Sequence, residues 1–304
     1  MKRNRQFVIR LFAVIFLVML IVGDFVTVKF LLSGADSVFG VNFRGSGSHS
    51  ESSFLGNSFT NSKLPEGYRD ELEQMLNNPT EDGYTKEEAA AIRKFYSETA
   101  FVGDSLMMGY TYYLQKYDRE GFFAKTTMLC AYGFSARDAI RPISEKTKHP
   151  LYKGKKMLVE DALKLAKCKR VFIVFWANEI PGADVGKANQ NLEILVQRIR
   201  EQSPDIEVYI VSPCYMYLKT AKKTTFLNNN NLYALTLSRR AFCNNNNAGY
   251  VEVSKYLGNE KVGLLEKYTS DYYIHVNKDA YDIWSQVFLD YAIGREPDIE
   301  VIEK

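Results

Sequence analysis

Arg170-Val171-Phe172-Ile173-Val174-Phe175-Trp176 reads RVFIVFW, and every residue after its arginine is β-branched or aromatic. Such a run, with no polar alternation, is a strand covered on both faces, as inner strands of parallel sheets are. On either side of it, four shorter segments share the pattern: Thr99 to Gly103, Lys125 to Cys130, Glu207 to Ser212 (EVYIVS) and Gly249 to Val253. The stretches between them predict helices over about 138–143, 154–167, 188–201 and 227–245, and Tyr281 to Ala292 closes the body. Thr85 with Glu88 three residues later is a capping box ahead of a helix from Glu87 to Tyr96. Alternating strands and helices predict an α/β fold in three layers, α/β/α, around a five-stranded parallel sheet. Such sheets bind ligands at the carboxyl ends of their strands, which is where chemistry is to be sought.

The chain has 304 residues, and its first thirty differ in kind from the rest. Lys2, Arg3 and Arg5 precede an unbroken apolar run from Leu11 to Val22, and flanking apolar residues extend it. The extended segment covers roughly 20 residues, about the thickness of a bilayer. Positive charge on its N-terminal side predicts a cytoplasmic N-terminus and an extracytoplasmic body. Residues 1–32 therefore read as a cytoplasmic stub and a transmembrane signal anchor, making a single-pass protein of the cell membrane. Ser33-Gly34-Ala35 resembles a cleavage site, so a removed signal peptide is the alternative, although Asp24 and Lys29 separate it from the apolar run. Residues 33–65 are rich in Gly, Ser and Asn, including Gly45-Ser46-Gly47-Ser48, and read as a flexible linker. The catalytic body spans 66–304.

Of 39 basic residues, four (Lys2, Arg3, Arg5 and Arg10) lie in the first ten, and the remaining 35 face 36 acidic ones. A near-neutral body offers no basic face, so no nucleic-acid partner is expected. Cys130, Cys168, Cys214 and Cys243 are widely spaced and form no metal-like group. They read as small buried hydrophobes, with disulfides permitted by an extracytoplasmic location. The Asn clusters 228–231 and 244–247 are placed near a helix start and a helix end, where Asn suits caps and left-handed turns.

Phe101-Val102-Gly103-Asp104-Ser105-Leu106 lies where the first strand meets a helix. A Ser there is either a helix cap or a nucleophile displayed at the sheet edge, with helical N–H groups aimed at developing negative charge. A Ser hydroxyl needs a base to take its proton. The chain has three His: His49 in the linker, His149 in a Lys-rich loop, and His275 just before the closing helix. His275 is the candidate base.

Gly103-Asp104-Ser105 after the first strand and a late His before the last helix resemble the SGNH/GDSL hydrolases. That resemblance runs from about Ser97 to Ala292 and implies a flavodoxin-like sheet, with no metal or organic cofactor. It implies Ser105 as nucleophile and His275 as base. The oxyanion hole would be formed by the N–H groups of Ser105 and Gly133 (in Ala131-Tyr132-Gly133) and by the side chain of Asn178 (in Trp176-Ala177-Asn178-Glu179). Two positions depart from the family pattern. The acid expected three residues before His275 is Tyr272, with Asp271 one further back, so either Asp271 completes a triad or the site is a Ser–His dyad. Trp176 replaces the usual Gly, and is either a substrate-pocket wall that favours a small acyl group or a core residue. Asp104 reads as a turn stabiliser, and Arg137 as a surface charge or substrate contact.

The function these residues imply is a serine esterase that removes a small acyl group, O-acetyl being the obvious case, from a cell-envelope glycan or another small ester. The alternatives are an O-acetyltransferase using the same Ser–His site and a degenerate hydrolase fold serving as a binding module.

Overall fold

The computed structural model describes residues 83–119, 121–180, 185–220 and 224–303. The expected stub and anchor (1–32), the linker with His49 (33–65) and the first residues assigned to the body lie outside the described residues. Among the described residues, no helix is long and apolar enough to cross a membrane.

The sheet has five strands: β1 Thr99–Gly103, β2 Thr127–Cys130, β3 Arg170–Val174, β4 Glu207–Val211 and β5 Gly249–Val251. All pairings between them are parallel, and their spatial order is β2-β1-β3-β4-β5. β3, the RVFIV part of the opening motif, is hydrogen-bonded on both edges. Both of its faces are also covered, which explains why its sequence has no polar alternation.

The helices are α1 Lys86–Ser97, α2 Ser105–Tyr117, α3 Ala136–Ala139, α4 Val159–Ala166, α5 Val185–Gln202, α6 Asn229–Asn245 and α7 Lys278–Ala292. On one face, Phe101 and Phe172 pack with Ile92 and Tyr96 of α1, Tyr110 of α2 and Trp284 and Phe288 of α7. Ring centroids of Phe101 lie 5.1 Å from Phe172 and 4.9 Å from Phe288. On the other face, Ala100, Val102, Val171 and Ile173 meet Leu163 of α4 and Leu192, Leu195 and Ile199 of α5. Successive strand residues alternate between the two layers, as the two-residue period of a strand requires.

Local signals behave as their chemistry predicts. Thr85 and Glu88 exchange both capping-box bonds at α1. Asn228 caps α6, whose far end carries Asn247 in the left-handed region at φ 46°. All four cysteines are free, and three of them are buried.

Two predicted helices are corrected. The one placed over 138–143 is the single turn Ala136–Ala139, capped by Ser135 and stopped ahead of Pro142. The one placed over 154–167 begins only at Val159, because Lys155–Lys156 pairs back on Leu151–Tyr152. That hairpin turns at Lys153-Gly154, both at positive φ, a two-residue turn that helical periodicity conceals.

Candidate active site

Three loops leave the carboxyl ends of adjacent strands, and a fourth approaches from the start of α7. Registry aligns Gly103 of β1 with Cys130 of β2 and with Val174 of β3. Ser105, Gly133 and Asn178 all lie just beyond these paired ends.

Ser105 is the first residue of α2, and Asp104 is its N-cap. Gly103 is required sterically, since a Cβ there would lie 2.3 Å from Met107 Cγ and 2.9 Å from the Val174 carbonyl oxygen. Asp104 is completely buried. Its Oδ1 accepts from the Leu106 N–H at 3.0 Å and its Oδ2 from Asn178 Nδ2 at 2.9 Å. Burial pushes its carboxyl up to about 6, against the pull of those two donors. The turn-stabilising role read from sequence is what Asp104 performs, and it also holds Asn178.

The loop before α7 supplies the candidate base, His275. His275 Nε2 lies 3.1 Å from Ser105 Oγ, and His275 Nδ1 lies 2.7 Å from Asp271 Oδ2. A proton on Nδ1, donated to the carboxylate, leaves the Nε2 lone pair facing the serine hydroxyl. Asp271 Oδ1 accepts from the N–H groups of Tyr273, Ile274 and His275, at 2.8, 3.0 and 3.1 Å. Burial raises the Asp271 carboxyl, but hydrogen bonds from the His275 ring and these amides outweigh it and hold the group below its ordinary value.

Tyr272 adopts φ 53°, and this left-handed residue accommodates the extra position between acid and base. Of the two arrangements open from sequence, the structure has the one in which the Asp271 carboxylate meets the His275 ring. The loop is closed behind it by the Ser270 N–H to the His275 carbonyl, 2.9 Å. Tyr281 of α7 donates to the Leu106 carbonyl at 2.9 Å, tying the base's helix to the nucleophile's.

Gly133 has φ 66°, in a turn where Phe134 N–H bonds the Ala131 carbonyl at 3.2 Å. Asn178 sits in the short 3₁₀ turn Ala177–Glu179. Its amide has two N–H donors, and the bond to Asp104 uses one of them.

Trp176 is corrected as a pocket wall. It is 1% exposed, within the core, and its indole N–H donates to the Cys214 carbonyl. The steric argument for a small acyl group therefore does not rest on it. His149 is buried near the Phe134 ring, and Arg137 is an exposed residue of α3.

Sequence reading missed Glu179 and Arg239. Glu179 Oε1 accepts from the Ala136 N–H at 2.7 Å, and Oε2 from Arg239 Nη2 at 2.6 Å. Arg239 Nη1 in turn donates to Asn189 at 2.8 Å. The carboxylate thus joins the loop that follows Gly133 to the turn that carries Asn178. Burial raises the Glu179 carboxyl, with the Arg239 charge and the Ala136 amide opposing. An acid directly after Asn178 was a visible signal, but nothing in sequence pairs it with an arginine sixty positions on.

Together, a half-buried hydroxyl, an imidazole and a carboxylate stand in hydrogen-bonded line beside a helix N-terminus. That arrangement can activate an oxygen nucleophile and receive its proton.

No protein-family model matches the chain, and no curated protein matches it. Among solved structures it is similar to a GDSL-like lipase from Bacteroides thetaiotaomicron, at 12% identity over 75% of this chain and 98% of that one, TM-score 0.48. It is similar to an acetyl xylan esterase at 14% identity, over 64% and 98% of the two chains, TM-score 0.45. A lipase/acylhydrolase from Enterococcus faecalis gives 15% identity over 66% and 98%, TM-score 0.44.

Proposed function

We propose that the chain is a serine esterase of the SGNH/GDSL type that removes a small acyl group, an O-acetyl, from a glycan of the cell envelope. One observation carries the enzymatic part: the line Ser105 Oγ, His275 Nε2, His275 Nδ1, Asp271 Oδ2, with separations of 3.1 and 2.7 Å at its two hydrogen bonds.

In this reading, His275 Nε2 takes the Ser105 proton as Oγ attacks the ester carbonyl. The tetrahedral oxyanion is received by the N–H groups of Ser105 and Gly133 and by the remaining Asn178 amide proton. Each such donor contributes about 3–4 kcal/mol in the transition state. Collapse breaks the bond to the alcohol oxygen, which takes the proton from the imidazolium. Water then attacks the acyl-serine, gives a proton to His275 and releases the carboxylic acid, restoring the serine.

The envelope location follows from the apolar segment at Leu11 to Val22 and the charges ahead of it. A glycan fits that location and a nearly neutral body rich in aromatic residues, with 20 Tyr and 19 Phe in the chain. The degenerate-module alternative drew on the departures around both Trp176 and Tyr272, and the Asp271–His275 bond speaks to the second of these.

The test is covalent labelling of the whole chain with a fluorophosphonate, followed by peptide mapping and assay of acetate released from purified cell-wall glycan. The proposal expects label on Ser105, its loss in Ser105→Ala, and acetate release by the parent only. Label elsewhere, or none, overturns the serine-esterase reading. Label on Ser105 without acetate release overturns the substrate.

A further inference from the structure

Among the described residues, four other than glycine have φ in the left-handed region: Lys153, Lys167, Asn247 and Tyr272. The first three lie at a hairpin turn or a helix end, where a polar side chain stands in solvent. Tyr272 is the only aromatic among them, and it is 59% exposed. A glycine or asparagine would hold that backbone conformation at less cost, and the ring recovers little of the cost through burial. It sits between Asp271 and His275, in the loop whose imidazole lies 3.1 Å from Ser105 Oγ.

The ring is held in place. It meets Tyr217 edge to face, with centroids 5.6 Å apart. Tyr217 is itself fixed at both ends: its backbone N–H donates to the Tyr273 carbonyl and its hydroxyl to Glu266, each at 2.9 Å. Tyr217 also lines a cavity of about 210 Å³ with Asn228, Asn230, Thr220 and Glu260. A pre-set aromatic face beside a cavity whose walls mix amide, hydroxyl and carboxylate groups with the apolar Met216 and Leu218 suits a ligand with an apolar face and many hydroxyls.

We infer that Tyr272 and Tyr217 form a sugar-stacking platform beside Ser105, and that the cavity behind Tyr217 receives the adjoining sugar of an oligosaccharide. This deepens the esterase reading and rests on it, since it assigns the alcohol portion of the ester.

The test reads binding in protein that cannot turn over. Full-length Ser105→Ala is titrated calorimetrically with O-acetylated tetramers of N-acetylglucosamine and of xylose. At least one tetramer is expected to bind. Adding Tyr272→Gly should weaken that binding 10-fold or more while leaving the melting temperature no lower, because glycine suits the left-handed conformation. Adding Tyr272→Phe should keep binding within about 3-fold. Binding of neither tetramer, or equal binding by the Tyr272→Gly protein, overturns the platform. The esterase reading fails on a separate measurement: Ser105→Ala would still hydrolyse p-nitrophenyl acetate.

Discussion

Asp271 and His275 are four residues apart, yet one carboxylate holds both the imidazole and the chain between them. Oδ2 takes the ring Nδ1 at 2.7 Å, while Oδ1 gathers three successive backbone N–H groups. The acid therefore shapes its own loop as well as orienting the base.

Asp271→Asn separates these two tasks. The amide oxygen can still accept from the three backbone groups, but its NH₂ faces Nδ1–H and forces the wrong tautomer. The expected outcome is a fall in kcat of about 10³–10⁴ with a near-normal melting temperature. Kinetics on p-nitrophenyl acetate check it. A loss under tenfold would mean that another group orients the ring.

How much of this site was legible follows from the same loop. Ser105 was readable from Gly103-Asp104-Ser105 at a strand–helix junction and His275 as one of three histidines, the one just before the closing helix, whereas Gly133 and Asn178 came only from the family resemblance. The triad itself was not decidable. Whether Asp271 reaches across one extra residue depends on the φ of Tyr272, and residue type alone argues against a tyrosine there adopting a left-handed conformation. Trp176 was misjudged because a strand's last aromatic can face the ligand edge or the core, and which of the two depends on a partner, the Cys214 carbonyl, supplied by β4's own exit. The sheet was the most legible part, since burial on both faces of β3 is written directly in its composition. The Lys153-Gly154 hairpin was the least legible, since two turn residues decide it.

Asn178→Ala removes the proposed oxyanion donor and leaves Asp104 Oδ2 without its partner in a fully buried position. The expected loss is about 10²–10³ in kcat with little change in KM, together with about 1–3 kcal/mol of stability from the orphaned acceptor. Steady-state kinetics and urea denaturation on the same variant check both. A rise in KM with kcat unchanged would place Asn178 outside the transition-state contacts.

Asp104 predicts a pH signature. Its carboxyl titrates near 6 in the folded chain, against an ordinary value of 3.8. Between those values the folded chain holds a proton that the unfolded chain has released, so this group's contribution to stability falls as pH rises through the window. The whole effect is about 3 kcal/mol and is complete above the upper value. Asp104→Asn lacks it. Urea midpoints of parent and variant, compared from pH 4 to pH 7, should therefore diverge by that pH-dependent amount. A difference independent of pH would mean that the carboxyl is ionised throughout.

Glu179 and Arg239 form a buried pair, with side chains 1% and 2% exposed. Removing one partner strands the other's charge, so Glu179→Gln and Arg239→Met are each expected to cost about 3–5 kcal/mol. The double variant Glu179→Gln/Arg239→Met should cost distinctly less than the two together, because no charge remains buried. Because Glu179 also holds Ala136 N–H, the single variants should lower kcat by loosening the frame that sets Gly133 against Asn178. A double-mutant cycle in urea, with kcat measured on each corner, separates the two effects. Strict additivity would mean the charges act independently.

The packing around Gly103 gives the sharpest steric test. A methyl group there meets Met107 Cγ at 2.3 Å and the Val174 carbonyl oxygen at 2.9 Å. Methionine is flexible and can move, whereas the carbonyl belongs to the central strand and cannot move without breaking the registry that aligns β1 with β3. Gly103→Ala is therefore expected to cost about 1–3 kcal/mol, and to displace Ser105, two residues on, from His275. Adding Met107→Ala should recover part of the stability and little of the activity, since it removes only the movable contact. Urea midpoints and p-nitrophenyl acetate kinetics on both variants check this. Full recovery of activity in the double variant would show that side-chain crowding alone, and not the strand's backbone, fixes the nucleophile's position.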